Sequence, residues 1–350
     1  MNALTVRCRV PAAAALRLAP GIAFGMALLM TASANALADD RPTLTVYTYS
    51  SFDTEWGPGP QIKSGFEEIC GCTVSYVAVD DGVALLSRMR LEGPSTNADV
   101  VLGLDMNLIA EARELDLLIP HGQQLDDLDL PIDWSDDVFV PFDWGYFAFV
   151  YDSQSVETPP ASLRALVEES DLELLIQDPR TSTPGLGLLL WVKAVYGDDA
   201  GDAWAVMRDR IVTVTSGWSE AYGLFQEGEA PLVLSYSTSP AYHIVAEETD
   251  RYRAAAFDEG HYMQIEVAAA TNTSDHPELA RSFLEYLTSE DAQSILPVTN
   301  WMYPVRNDDV ALPAAFDNLI HPSEALLFDP ETVRDNRSDW VDEWLDGMSR

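Results

Sequence analysis

The chain has 350 residues, with 20 Lys+Arg against 57 Asp+Glu and a formal net charge of −37. Phosphate neutralisation needs clustered bases, so this balance excludes a nucleic-acid binder and disfavours docking on an anionic membrane surface. Hydrophobic residues at 47% and aromatics at 10% are enough for a packed core, and the length fits two domains or one large one.

Arg7, Arg9 and Arg17 carry the only charges before Asp39. The apolar run GIAFGMALLMTASA (21–34) follows, then the small-residue site Ala36-Leu37-Ala38. This order reads as a secretory signal peptide over 1–38, and the run is short of the roughly 20 residues a span needs. Cys8 would leave with it. Loss of three arginines and no acid leaves 17 bases against 57 acids, net −40. Two cysteines remain, Cys70 and Cys72 in C-G-C. Export permits a bridge, and the short spacing would make it strained and reducible. Redox pair, structural bridge and inert thiols all stay open on spacing alone.

Along the mature chain, LTVYTY (44–49) alternates β-branched and aromatic residues and reads as a strand. Pro60 opens a helix with Ile62, Phe66 and Ile69 on one face. Strand 73–79, helix 83–92, strand 99–104 and helix 105–115 follow, the signature of a parallel sheet covered on both faces. The long apolar-aromatic stretch 138–152 comes next. Helix 161–170, strand 172–177, helix 184–196, strand 211–215, helix 218–227 and strand 232–236 repeat the alternation. Strand 261–270, helices 276–288 and 290–296, and a helix over 330–348 complete it. That last helix places Val333, Trp340, Val341, Trp344 and Leu345 on a broad apolar face. Two α/β lobes are expected, with 138–150 crossing into the second and 260–270 crossing back. The boundaries are 39–142 and 263–350 for the first lobe and 143–262 for the second. Ligands in open α/β sheets bind outside the carboxyl ends of strands, so both lobes would aim strand ends at a shared cleft.

Aromatic and hydroxyl residues crowd four predicted strand ends or loops: 46–60 with Tyr49 and Trp56, 177–187, 215–223 with 235–243, and 299–305 with Trp301. Singly these read as packing; together they point to an aromatic-lined site. Ser182-Thr183-Pro184 and Thr238-Ser239-Pro240 each place a hydroxyl before a proline that starts a helix. The expected role is an N-cap, and such a terminus can also receive an anion. The five histidines form no H-E-x-x-H, and no G-x-S-x-G occurs. Carboxylates are so abundant that no pair of them is informative.

At these residues the chain resembles the periplasmic thiamine-binding proteins of Gram-negative thiamine ABC importers. The matching stretches include VYTYSSFDTEWGPGP (46–60), CGC (70–72), DDGVALLSRMRLEG (80–93), VPFDWGYFAFVYD (140–152), QDPRTSTPGLGLLLW (177–191), VTVTSGWSEAYGLF (212–225), LVLSYSTSPAYH (232–243) and NWMYP (300–304). They span nearly the whole mature chain in one order. The resemblance implies a type II periplasmic binding protein fold, two α/β lobes joined by hinge strands with the ligand cleft between them. Carried over position by position, it implies ligand contacts at Tyr49, Trp56, Asp81, Gly82, Ser182, Thr183 and Trp218. It implies further contacts at Tyr236, Ser237, Thr238, Ser239, Pro240, Tyr242 and Trp301. One departure is Ser50, after Tyr49, where a relative has an acidic residue.

The implied ligands are thiamine and its mono- and diphosphate. The implied partners are the permease and ATPase subunits of an ABC importer, in the periplasm, with the chain a monomer, no cofactor and no bound metal. Thiamine is a flat cation, which Trp and Tyr faces attract. Asp81 could accept from the pyrimidine amine, and the Ser182-Thr183 and 237–239 turns could receive a phosphate. Two rival readings keep the fold. One is a thiamine-cleaving enzyme with a Cys70 or Cys72 nucleophile, which this acidic segment would not activate. The other is a ferric-ion binder using Tyr236 and Tyr242. The scarcity of Lys beside so many acids matches a surface adapted to external salt.

Overall fold

The computed structural model describes residues 41–306 and 310–349. The signal peptide read over 1–38 lies outside the described residues. No helix among them is long and apolar enough to cross a membrane.

The chain begins β1 (Thr43–Tyr49), α1 (Gly59–Cys70), β2 (Thr73–Val79), α2 (Gly82–Glu92), β3 (Val100–Asp105). β1 lies between β2 and β3, parallel to both. The expected helix over 105–115 is shorter: a 3-10 turn at Met106–Leu108 leads into α3 (Ile109–Arg113). The Asp105 carboxylate accepts from the Asn107 amide and tightens that turn. After β4 (Leu118–Ile119) the apolar-aromatic stretch forms one strand, β5 (Val140–Asp152), unbroken by Pro141 or Gly145.

Next come α4 (Leu163–Glu168), β6 (Leu174–Gln177), α5 (Thr183–Tyr196) and α6 (Ala200–Met207). Then follow β7 (Ile211–Thr215), α7 (Trp218–Glu227), β8 (Leu232–Tyr236), α8 (Pro240–Ala246), β9 (Tyr252–Ala254) and β10 (His261–Thr271). α6 was not legible in the sequence. The last part holds α9 (Pro277–Leu287), α10 (Glu290–Gln293), α11 (Leu296–Thr299), β11 (Tyr303–Pro304), β12 (Ala325–Leu326) and α12 (Pro330–Ser349). The single helix expected over 290–296 is two short ones. Pro297 has no amide hydrogen to continue the ladder from α10.

The strands run in the order β2-β1-β3-β10-β5-β8-β6-β7. β5 changes partners midway. Val140–Tyr146 pair antiparallel with β10, and Phe147–Tyr151 pair antiparallel with β8. β10 in turn pairs antiparallel with β3. Two adjacent strands therefore join the two lobes. β1, β2, β6, β7 and β8 all end at the same cleft, as parallel α/β strands should.

At the handover Phe147 is fully buried against α5. A Cβ added at Gly187 would lie 2.0 Å from its ring, so the helix approaches the strand this closely only without a side chain. α12 closes the back of the molecule and touches both lobes. Arg337 donates to Glu111 of α3 at 2.8 Å, and Glu343 accepts from Lys193 of α5 at 2.8 Å. Val333 and Trp344 are buried, whereas Leu345 on the expected apolar face is exposed. Cys70 and Cys72 form a disulfide around Gly71, which ends α1 in the left-handed region at φ 61°.

Alanine favours a helix interior over glycine by about 1 kcal/mol. At Gly187 the Phe147 clash should outweigh this and lower stability by about 1–3 kcal/mol. Denaturant unfolding of Gly187→Ala checks it; an unchanged or higher midpoint would show that Phe147 can move aside.

Candidate functional site: an aromatic and acidic cleft

Asp81 is where the lobes touch. It ends the turn after β2 and caps α2, accepting from the Gly82 amide at 2.7 Å. From the other lobe it accepts from the Ser182 hydroxyl at 2.8 Å and the Trp218 amide at 3.3 Å. Three helix starts, those of α2, α5 and α7, thus converge on one carboxylate. Each carries partial positive charge and free amide hydrogens. Burial pushes the Asp81 carboxyl above the ordinary range, while hydrogen bonds from Gly82, Ser182, Thr183 and Trp218 pull it back. The approach is close: a Cβ at Gly82 would lie 2.3 Å from the Thr183 hydroxyl.

Beside Asp81 opens a cavity of about 460 Å³. One wall is aromatic. Trp218 stacks on Tyr222 at 4.9 Å, and Trp56 of the first lobe faces Trp218 at 6.4 Å. Trp218 is held by its indole N–H donating to Ser235 Oγ at 2.7 Å, and Ser235 is bonded to Ser239 Oγ at 2.8 Å. Behind the stack, the Tyr222 hydroxyl meets His243 Nε2 at 2.7 Å and His243 Nδ1 meets Glu247 at 2.6 Å. Burial lowers the His243 pKa, with Glu247 opposing. Trp301 lines the opposite side, edge-on to Tyr242 at 5.6 Å. Its φ of 56° is uncommon for a bulky side chain. The Trp301 amide bonds back to Leu296 O at 2.9 Å, so the end of α11 enforces that backbone.

The floor is acidic. Asp105 of β3, Glu266 of β10 and Asp143 of β5 lie in register across three adjacent strands. All three are buried. The Glu266 carboxyl accepts from the Tyr49 hydroxyl at 2.8 Å, and Asn300 donates to Asp143 at 2.6 Å. Gly103, at φ 101°, leaves room for the Tyr49 ring, since a Cβ there would lie 2.2 Å from it. Burial pushes Asp105 and Asp143 up to about 7. It pushes Glu266 well above the usual carboxylate range, with Asp143's charge adding to the effect. No Lys, Arg or His is among the described residues lining the cavity. Both polar atoms of the buried Gln264 amide, also in the lining, lack a hydrogen-bond partner among the described residues.

Of the site residues expected from sequence, Tyr49, Trp56, Asp81, Trp218, Tyr236, Ser239, Tyr242 and Trp301 line this cavity. Gly82, Ser182, Thr183, Ser237, Thr238 and Pro240 do not; they form the layer behind it. Ser182 caps α5 as expected, accepting from the Gly185 amide at 3.4 Å. The anion at that helix start is the chain's own Asp81. Ser239 does not cap α8: it is helical itself, and its hydroxyl is used by Ser235 and the Tyr236 amide. The bridged Cys70 and Cys72 are not free thiols. Sequence reading missed Tyr222, Gln264, Glu266, Asn300 and Asp143. Signals existed for some. Tyr222 is one helical turn after Trp218, and Gln264 and Glu266 are polar at period two in an otherwise apolar strand.

The acidic floor fixes a pH dependence. The folded chain holds these protons more tightly than the unfolded chain, whose carboxyls titrate near 4. Stability present at low pH is therefore lost as pH rises from about 4 toward about 7. The thermal midpoint should fall between pH 5 and pH 7.5, and Asp143→Asn should flatten the slope. A midpoint that rises across this window in the parent protein would contradict the assignment.

The family model for bacterial extracellular solute-binding proteins matches residues 49–294. A thiamine-binding periplasmic protein of Brucella suis is 52% identical over 89% of this chain and 94% of its own length. That of Escherichia coli is 52% identical over 92% of this chain and 98% of its own. A solved periplasmic thiamin binding protein superposes with a TM-score of 0.87 at 54% identity, covering 89% of this chain and 97% of that one. The chain belongs to the bacterial extracellular solute-binding proteins, and among them to the family of periplasmic thiamine-binding proteins.

Proposed function

We propose that the protein binds thiamine in this cleft, in the periplasm, and hands it to the membrane permease and ATPase of an ABC importer. One observation carries the reading: an aromatic cavity whose charged lining is entirely acidic. Thiamine joins an aminopyrimidine to a permanently cationic thiazolium. The aromatic faces of Trp218, Trp56 and Trp301 suit such a ring, at about 0.5–2 kcal/mol each when desolvated. The Gln264 amide offers a donor and an acceptor for the pyrimidine edge.

The ligand is carried and not transformed. The mono- and diphosphate belong to the same proposal. Gly82, Ser182 and Thr183 lie behind the lining, so a phosphate would instead share the Trp218 amide at the start of α7 with Asp81. Adjacent acids oppose a phosphate there, so that donor must outweigh them, and thiamine itself is the better-matched ligand.

Calorimetric titration with thiamine and both phosphates tests the reading. Trp218→Ala should weaken thiamine binding about tenfold, near 1.4 kcal/mol, and Trp218→Phe should restore most of it. Affinity within threefold of the parent for Trp→Ala changes at positions 56, 218 and 301 alike would refute the aromatic account.

A further inference from the structure

Three carboxyls in a row across β3, β10 and β5 need an explanation, because nothing basic lines the cavity beside them. Side chains directly opposite each other in an antiparallel ladder stand about 4.5–5.5 Å apart at Cβ. Glu266 and Asp143 are such a pair. Two buried carboxylates this close cannot both be ionised without a compensating charge.

The surroundings offer none. From β1 comes the neutral Tyr49 hydroxyl, donating to Glu266. From β3 comes Asp105, itself an acid taken up by Asn107 at 2.8 Å. From the turn after β2 comes Asp81, whose charge also raises Glu266. From β8 comes Tyr236, a phenol pushed upward by burial and by these same acids. The loop after α11 contributes only the neutral Asn300 amide. Asn300 donates to Asp143 Oδ2 at 2.6 Å, while Asp143 Oδ1, on the strand directly opposite Glu266, is buried with no hydrogen-bond partner among the described residues. Of the Glu266–Asp143 pair, only Glu266 also lines the cavity.

We infer that Glu266 and Asp143 form a one-proton pair that reads the ligand's positive charge: the entering cation displaces the proton of Glu266 to solvent. The balance is one cation in and one proton out, with no covalent step. The pair is then a specificity determinant. A cation supplies the counter-charge that both carboxylates lack, and a neutral molecule of the same shape leaves the proton in place. The inference rests on the thiamine reading, and its test separates the two.

The experiment is calorimetry at pH 7, where the pyrimidine of free thiamine is already neutral, in phosphate and in Tris, whose ionisation heats differ widely. Thiamine is compared with deazathiamine, in which carbon replaces the charged ring nitrogen. The expected result is release of about one proton per thiamine bound. Deazathiamine should bind at least tenfold more weakly and release none. Glu266→Gln should abolish the buffer dependence and narrow the gap between the two ligands. Should that variant misfold, the parent's own buffer dependence and a thiamine affinity that rises with pH between 5.5 and 7.5 carry the test. Thiamine binding with the same heat in both buffers overturns the proton-exchange pair and leaves the thiamine reading intact. No thiamine binding in either buffer overturns both.

Discussion

The antiparallel ladder between β5 and β10 is the contact on which everything else depends. It is the junction of the two lobes, since β5 hands over from β10 to β8 at Phe147 and β10 continues to β3. The same ladder sets Glu266 opposite Asp143 at the base of the cleft. Hinge and acidic floor are thus one element. A slip of one residue in this register would turn both acids to the other face of the sheet. It would also carry Gln264, two residues from Glu266, out of the lining.

Around that ladder the cleft divides its work. The aromatic wall provides area and ring faces, with Trp218 fixed by Ser235 and Tyr222 by His243. The acids provide charge in a place where water cannot screen it. Asp81 serves a third purpose. By accepting from both lobes it links closure to the helix starts of α5 and α7. A carboxylate satisfied by three helix starts is held more firmly than any single ion pair at the surface, where such pairs contribute about 0–1 kcal/mol.

Much of this is legible in the sequence. The strands β1, β2, β7 and β8 were readable to within a residue, because their β-branched and apolar runs have no competing helical period. Eight expected site residues line the cavity, six of them aromatic, because three of the four aromatic- and hydroxyl-rich segments converge on it. The acids were not legible. With 57 Asp and Glu in the chain, no one pair stands out until strand register brings Glu266 and Asp143 together. α6 escaped for a local reason: it starts from the acidic turn GDD with no side-chain cap. Ser239 misled because the Ser-Pro pattern of a cap was present while its hydroxyl was committed to the preceding turn.

The C-terminal helix has a mechanical consequence. Two neighbouring strands make a joint that can both flex and wring. α12 is a stay about 30 Å long, bolted to one lobe through Arg337 and Glu111 and to the other through Glu343 and Lys193. Wringing the lobes about their long axis would shear those bolts in opposite directions, whereas flexing about a line near the helix would not. Flexing is therefore the motion that these two contacts oppose least. With wringing resisted in this way, Trp56 of one lobe is kept in line with Trp218 of the other.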